Sequence, residues 1–275
     1  MELLPRYMAD WRSIIEGTAI GILQLMHPPL GTAVAEQSAF FDDPFGRIFR
    51  SIPQIWATVL APDGEERGRR IRDLHRDIKG ETGGRRFHAL DPETFWWAHA
   101  TFTQLVLRSV ERYHPPGELD PAGWERLYQE TVEWYERYGV SSRAVPTDLA
   151  AFRAEFDRFC AEELEMTPAA ERSLFIARMG EPDVLPVLPG SVVRAGRPFL
   201  RRWGARSTVG HLPPIVRERF GLEWSDVDQR RLDQAVTATR LTFTAMPRSL
   251  NRSTFLLALR TTGARTRGER YQPAA

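Results

Sequence analysis

His99 is the residue whose surroundings in the sequence most clearly favour chemistry. Within the stretch 91–114, DPETFWWAHATFTQLVLRSVERYH, it is the only titratable side chain over residues 94–107. At helical spacing it lies on the same stripe as Phe95 and Phe102. A helix this apolar is predicted to be buried, and a buried imidazole needs either a hydrogen-bond partner or a metal.

Two interpretations of His99 are open from the spacing. A single histidine on an apolar helix is usually a core residue that is hydrogen-bonded to a carbonyl. The alternative is an axial haem ligand, because a porphyrin is a large apolar disc whose iron takes one neutral imidazole nitrogen. The other ring nitrogen would then need a partner, most simply a carbonyl near Phe95. Trp96, Trp97 and Phe102 would supply the bulk around the disc.

Further candidates lie before His99 in the sequence. Arg72 and His75 belong to a helix that begins after Asp63, and they could face the same cavity. A basic group there can steer bound oxygen, a substrate or a propionate, although a solvated amphipathic helix also explains both residues. Arg47 is a candidate for contacts with carboxylates such as haem propionates, but surface arginines are common.

Other chemistries are excluded by spacing and composition. One cysteine, Cys160, leaves no internal disulfide and no cysteine-based metal site. The pair Glu111 and His114 has the Glu-x-x-His form of di-iron bundles, but no second copy exists. The chain has no zinc-protease, serine-hydrolase, phosphate-loop or dinucleotide-binding motif. A net charge of +1 indicates no nucleic-acid partner.

The elements that must position these residues are predicted to be helices. Apolar periodicity and helix-start signals indicate an all-α fold of about eight to ten helices with no strand. Residues 1–27 are predicted to form one helix. Later helices are predicted to begin at Asp91-Pro92, at Asp120-Pro121, at Pro146-Thr147-Asp148 and at Ser225, which Asp228 helps to cap. The stretches 31–53, 80–86 and 181–216 are predicted to be irregular, the last with short helices. Residues 1–250 are assigned to one helical domain, and residues 251–275 to a basic, flexible tail.

Targeting signals are not found in the sequence. The longest apolar run near the N-terminus, residues 18–26, is far shorter than a membrane span and lacks the flanks of a signal peptide. We therefore expect a cytoplasmic protein without an integral membrane segment.

An ordered set of short motifs is also present. It comprises Gln24-x-x-His27-Pro28, Asp43-Pro44-Phe45-x-Arg47, Arg72-x-x-His75 with Lys79-Gly80, Ala89-Leu90-Asp91-Pro92, Trp97-Ala98-His99-Ala100-Thr101, Tyr128-x-Glu130, and Gly139 followed by Pro146-Thr147. Over roughly residues 8–250, this order resembles the bacterial and fungal family that includes the MpaB-type oxygenases and the rubber oxygenase called latex clearing protein. The Trp-Ala-His-Ala-Thr motif is the most specific part.

The resemblance implies an all-helical, partly globin-like fold that binds haem b through the histidine matching His99. In the rubber-cleaving branch a helix with an arginine faces the distal side of the haem, and Arg72 and His75 lie on the corresponding stretch. That branch cleaves the double bonds of polyisoprene with dioxygen. Its distal carboxylate and its export signal have no match here, which argues against rubber as the substrate.

The expectation is therefore a haem b-dependent oxygenase, an oxidoreductase that uses dioxygen on an unidentified hydrophobic small molecule. Two alternatives remain open. One is a haem-binding sensor or carrier without turnover, in which His75 is the second iron ligand. The other is a helical scaffold without a cofactor.

Overall fold

The helix that carries His99 forms the centre of the fold. The computed structural model describes residues 1–38, 41, 44–179, 204 and 206–265 of the chain. Within them the architecture is helical with one two-stranded hairpin, which confirms the all-α prediction. The helices are α1 (Leu3–Met8), α2 (Gly17–Leu25), α3 (Pro28–Gln37), α4 (Pro44–Leu60), α5 (Gly64–Leu74), α6 (Pro92–Tyr113), α7 (Pro121–Glu136), α8 (Leu149–Arg158), α9 (Pro168–Met179), α10 (Pro214–Arg219), α11 (Asp226–Ala245) and α12 (Arg248–Arg265).

Helix α6 begins where the sequence predicts. Pro92 occupies its first turn, where the missing backbone N–H costs no hydrogen bond. The Asp91 carboxylate accepts the backbone N–H of His88 at 2.9 Å instead of capping the helix. Helices α1, α2, α7 and α11 all pack against α6, so its residues are buried on most sides.

Helices α7 and α8 confirm their predicted N-caps. The Asp120 carboxylate accepts the backbone N–H of Gly123 at 2.7 Å, and the Asp148 carboxylate accepts that of Ala151 at 2.8 Å. After α7 the chain turns at Gly139, whose φ of 65° is the left-handed conformation that glycine adopts without strain. These caps fix where α7 lies beside α6.

The continuous helix predicted over residues 1–27 is wrong. The Asp10 side chain accepts the backbone N–H of Arg12 and turns the chain into a 3₁₀ segment, Trp11–Ile14, between α1 and α2. Pro28 then begins α3 rather than ending helical structure. The irregular stretch predicted over 31–53 is likewise largely helical in the described residues, because Pro28 and Pro44 each occupy a first helical turn.

The loop predicted over 80–86 is a β-hairpin. Strands β1 (Lys79–Thr82) and β2 (Arg85–His88) pair antiparallel, with Thr82 opposite Arg85. The turn residues Gly83 and Gly84 both have positive φ, 56° and 74°. Two consecutive positive φ values are what a two-residue type I′ turn requires. The strands lack an apolar alternation, which is why the sequence pattern does not reveal them.

The C-terminal helices extend past the predicted domain boundary. Ser225 and Asp228 form the predicted capping box of α11, which ends before Pro247. Helix α12 then follows, with Asn251 and Phe255 buried. Residues 251–265, which were assigned to a flexible tail, therefore form part of α12 in the structure, and residues 266–275 lie outside the described part of the chain.

The stretch 181–216, predicted to contain short helices, is described only in part. Residues 206–211 are helical, as expected for a short helix, while 180–203 and 205 lie outside the described residues. No helix of the described chain is long and apolar enough to cross a bilayer.

Candidate functional site

His99 is buried between α6 and α7. Its Nε2–H donates to the backbone carbonyl of Thr131 at 2.9 Å. The partner is a carbonyl, as predicted, but α7 supplies it rather than the turn near Phe95. Burial lowers the pKa of His99 to about 4, and the hydrogen bond to Thr131 offsets only part of that effect. The imidazole is therefore neutral near pH 7, with the proton on Nε2 and a lone pair on Nδ1.

Aromatic rings surround this imidazole. The centroids of Trp134, Tyr135 and Tyr138 lie 4.6, 5.2 and 6.0 Å from that of His99, all edge to face. The cavity beside the ring has a volume of about 10 Å³. Pockets for bound organic ligands are about 300–1,000 Å³. The lone pair on Nδ1 of His99 could thus serve as an axial ligand. The packing of the described residues, however, leaves no space for a porphyrin ring beside it, and a globin-like haem pocket is not seen.

Of the residues predicted to surround a haem, only some lie beside His99. Trp96 is buried and lines the small cavity beside His99. Phe102 is half-buried and contacts Trp134 at a centroid distance of 6.4 Å, so one ring separates it from His99. Arg47 belongs to α4, and its side chain lies outside the described part of the structure.

Arg72 and His75 do not contact His99. The Nδ1–H of His75 donates to the Ile71 carbonyl at 2.7 Å, and the imidazole packs edge-on against Phe95 at 6.2 Å. Phe95 in turn contacts Tyr138 at 5.3 Å, so two aromatic rings lie between the histidines. The Arg72 guanidinium pairs with Asp73 at 2.8 Å. A distal role for Arg72 and His75 stays a prediction.

The Gln24-x-x-His27 motif supports the helix of His99. The Gln24 amide donates to the Ala98 carbonyl at 3.1 Å and to the Thr101 hydroxyl at 2.7 Å, on either side of His99 in sequence. His27 is buried against the ring of Phe159, its Nδ1 has no hydrogen-bond partner, and burial lowers its pKa to about 4. The motif therefore joins α2 to α6.

A second buried polar cluster was missed by the sequence reasoning. The Glu16 carboxylate lies 2.8 Å from Arg108 Nε and 3.1 Å from Arg112 Nη1. The Tyr113 hydroxyl lies 3.2 Å from Glu16 and 2.9 Å from Nε2 of His211. Arg108 and Arg112, four residues apart after an apolar run, were the available signal. Glu16 lies 96 residues before Arg112, and His211 lies 98 residues after Tyr113, which spacing does not reveal.

Metal ligation by side-chain clusters receives no support. Over the described residues, no group of three or more histidine, cysteine, aspartate or glutamate side chains could hold a metal ion. A haem iron does not need such a group, since one axial imidazole suffices.

The fold and this site define an all-helical protein with a neutral, carbonyl-held histidine in an aromatic core. The chain belongs to the family described as ER-bound oxygenase mpaB/B'/Rubber oxygenase, catalytic domain, which it matches over residues 5–241. This confirms the resemblance, and the family is one of oxygenase catalytic domains. No curated protein and no solved structure matches the chain.

Proposed function

We propose that the protein is a haem b-dependent oxygenase that uses dioxygen on a hydrophobic small molecule, with His99 as the axial iron ligand. Membership of an oxygenase family supports the reaction class. The assignment of His99 as the iron ligand rests on the state of its imidazole. It is buried and neutral, and Thr131 holds it through Nε2, which leaves the Nδ1 lone pair as the donor.

The other residues have supporting roles in this proposal. Haem, when bound, supplies an iron that can activate dioxygen. Trp96 and Phe102 would form apolar walls that exclude water, and Arg47 would bind a haem propionate. Arg72 and His75 would orient dioxygen or substrate from the distal side through hydrogen bonds.

Haem binding requires a rearrangement around His99. Tyr135 and Tyr138 are the aromatic neighbours that also contact Phe95, so they occupy the space on the side towards His75. Movement of these two rings would enlarge the cavity without breaking the hydrogen bond between His99 and Thr131. The proposal therefore includes a closed form without cofactor and an open form with it.

Titration of the purified protein with hemin tests the ligand. We expect a Soret band shifted from that of free hemin, and at least a tenfold loss of affinity in His99→Gly. Added imidazole should restore the shifted band in that variant, because it refills the vacated ligand position. His114→Ala is the matched control, because His114 is also buried with a lowered pKa but has no proposed ligand role. A protein that binds no hemin, or a His99→Gly spectrum equal to the wild type, would refute the assignment.

The closed packing favours a second candidate, a helical protein that uses no haem. The hydrogen bond to Thr131 and the three rings around His99 would satisfy the imidazole without any ligand. In that case the His99→Gly substitution lowers stability and changes no absorption spectrum. A haem carrier with both His75 and His99 on the iron gains no such support, because Phe95 and Tyr138 lie between them.

A further inference from the structure

An open cleft lies where α6 ends and where α7 and α8 begin. Helix α6 ends at Tyr113, and the next residue, His114, is extended with a ψ of 164°. Pro115 explains this ending, because a proline ring disfavours the helical conformation in the residue before it. Gly117 then turns the chain with a φ of 76°, a left-handed conformation that glycine adopts without strain. The local sequence therefore holds the ends of α6 and α7 apart.

The cleft has the size of a small-molecule site. Its volume is about 490 Å³, whereas the space beside His99 is about 10 Å³ and pockets for organic ligands are about 300–1,000 Å³. The backbone N–H of Leu149 donates to the Glu125 carboxylate at 3.1 Å, which fixes the first turn of α8 beside α7. The apolar part of the lining includes Val110, Leu119, Trp124 and Leu149.

Two opposite charges line the cleft without pairing. Glu111 on α6 and Arg153 on α8 are both exposed, and neither side chain has an ion-pair or hydrogen-bond partner among the described residues. The indole N–H of Trp124 also has no hydrogen-bond partner within that part of the chain. On α5, by contrast, the exposed Glu65 and Arg69 pair at 2.5 Å. The cleft therefore offers a carboxylate acceptor and two kinds of N–H donor to a ligand.

Glu118 also lines the cleft, but its charge is already balanced. The guanidinium groups of Arg6 and Arg248 donate to its Oε1 at 2.6 and 3.2 Å. Glu111 and Arg153 are thus the charged groups that remain for a ligand, and their charges are equal and opposite. A ligand with only one charge would leave one of them without a partner, so charge complementarity favours a ligand that carries both signs.

We propose that this cleft binds a small zwitterion with an apolar body, of the class of free dipeptides with apolar side chains. Its ammonium group would pair with Glu111, and its carboxylate would pair with Arg153 and accept the indole N–H of Trp124. Its apolar side chains would lie against Leu119 and Leu149, where they lose contact with water.

This site is separate from the proposed haem site. Glu111 follows His99 by roughly three turns of α6. Binding in the cleft needs neither haem nor dioxygen, so its test and the test of the proposed oxygenase function can fail independently.

Isothermal titration calorimetry of the full chain with leucylphenylalanine tests the site. We expect saturable binding with one site per chain. N-acetylation of the dipeptide and amidation of its C-terminus should each weaken binding about fivefold, because each removes one exposed ion pair. Added NaCl should weaken binding of the free dipeptide more than that of the doubly blocked form, because salt screens exposed charges.

Two variants assign each charge to its partner. Glu111→Gln should weaken binding of the free dipeptide about fivefold, and N-acetylation should then have no further effect. Arg153→Gln should weaken it similarly and should remove the effect of amidation instead. A change that only disturbed the fold would weaken binding of all forms alike, so the selective pattern distinguishes direct contact from a structural role.

Matched variants on α5 serve as controls. Glu65→Gln and Arg69→Gln remove exposed charges that do not line the cleft, and both should bind every form of the dipeptide like the wild type. Circular dichroism establishes that each variant is folded.

Three outcomes would overturn the proposal. One is the absence of saturable binding of leucylphenylalanine. Another is equal affinity for the free and the doubly blocked dipeptide, which would make the cleft a site for neutral apolar molecules. The third is a Glu111→Gln or Arg153→Gln variant whose affinities equal those of the α5 controls, which would place the bound dipeptide elsewhere on the protein.

Discussion

At the scale of single residues, Glu16 shows how a buried charge is tolerated. Its side chain is 1% exposed, a position in which an unpaired carboxylate would be strongly destabilising. Arg108 and Arg112 reach it from α6, which places two positive charges within ion-pair distance. These two ion pairs do not by themselves establish a gain in stability, since the desolvation of Glu16 offsets much of the attraction. It does make the removal of one partner costly.

We therefore expect Glu16→Ala to lower the free energy of unfolding by about 3–5 kcal/mol, because Arg108 and Arg112, whose side chains are only 15% and 20% exposed, would be left without a counter-charge. Glu65→Ala is the control, since it removes an exposed carboxylate that pairs with Arg69 one turn away. That change should have a far smaller effect, as for other surface pairs. Urea unfolding of the variants measures both values. Equal losses would contradict the importance of the Glu16 cluster.

At the scale of elements, the contact of α5 with the end of α7 depends on Gly68. A Cβ placed there would lie 2.5 Å from the carbonyl oxygen of Arg137, which is closer than real Cβ atoms approach. Gly21, within α2, has nothing within 4 Å of the same position. Gly68 is therefore required by the close approach of α5 to the end of α7, whereas packing around Gly21 does not require a glycine.

Alanine at these positions should move stability in opposite directions. Gly68→Ala forces α5 away from α7, and we expect a loss of about 1–3 kcal/mol, as for other overpacked interfaces. Gly21→Ala adds a better helix former in open space, and we expect a gain of about 0.5–1 kcal/mol. Thermal unfolding followed by circular dichroism measures both. If both variants were stabilised, the α5–α7 contact would not have the described geometry.

The same elements show what the sequence could reveal. Aspartates and prolines at helix starts, such as Asp120 and Pro121, predict α7 because both act within the first turn. The aspartate side chain accepts a backbone N–H there, and the proline fixes φ. The burial of His99 was also predictable from local sequence, because apolar residues at helical spacing surround it. Its partner Thr131 was not, because a bond between residues 32 positions apart depends on how α6 and α7 pack.

At the scale of the whole molecule, four buried histidines make stability depend on pH. Burial is the main cause that lowers the pKa of His27, His99 and His211 to about 4 and that of His114 to about 3, from an ordinary value of 6.5. Unfolding exposes these imidazoles, which then bind protons between those values and 6.5. Because the unfolded chain binds more protons, stability must fall as the pH falls through this range.

We expect the free energy of unfolding to be highest above pH 6.5 and to drop by several kcal/mol between pH 7 and pH 4, since each unit of pKa difference contributes about 1.4 kcal/mol. Urea unfolding at half-unit pH intervals gives the slope. His114→Gln should flatten that slope, because one imidazole fewer takes up a proton on unfolding. His88→Gln is the control, as His88 is only partly buried and bonds to the Arg76 carbonyl through Nε2. A flat profile down to pH 4.5, or equal slopes for the wild type and His114→Gln, would mean that these imidazoles are not held neutral by the fold.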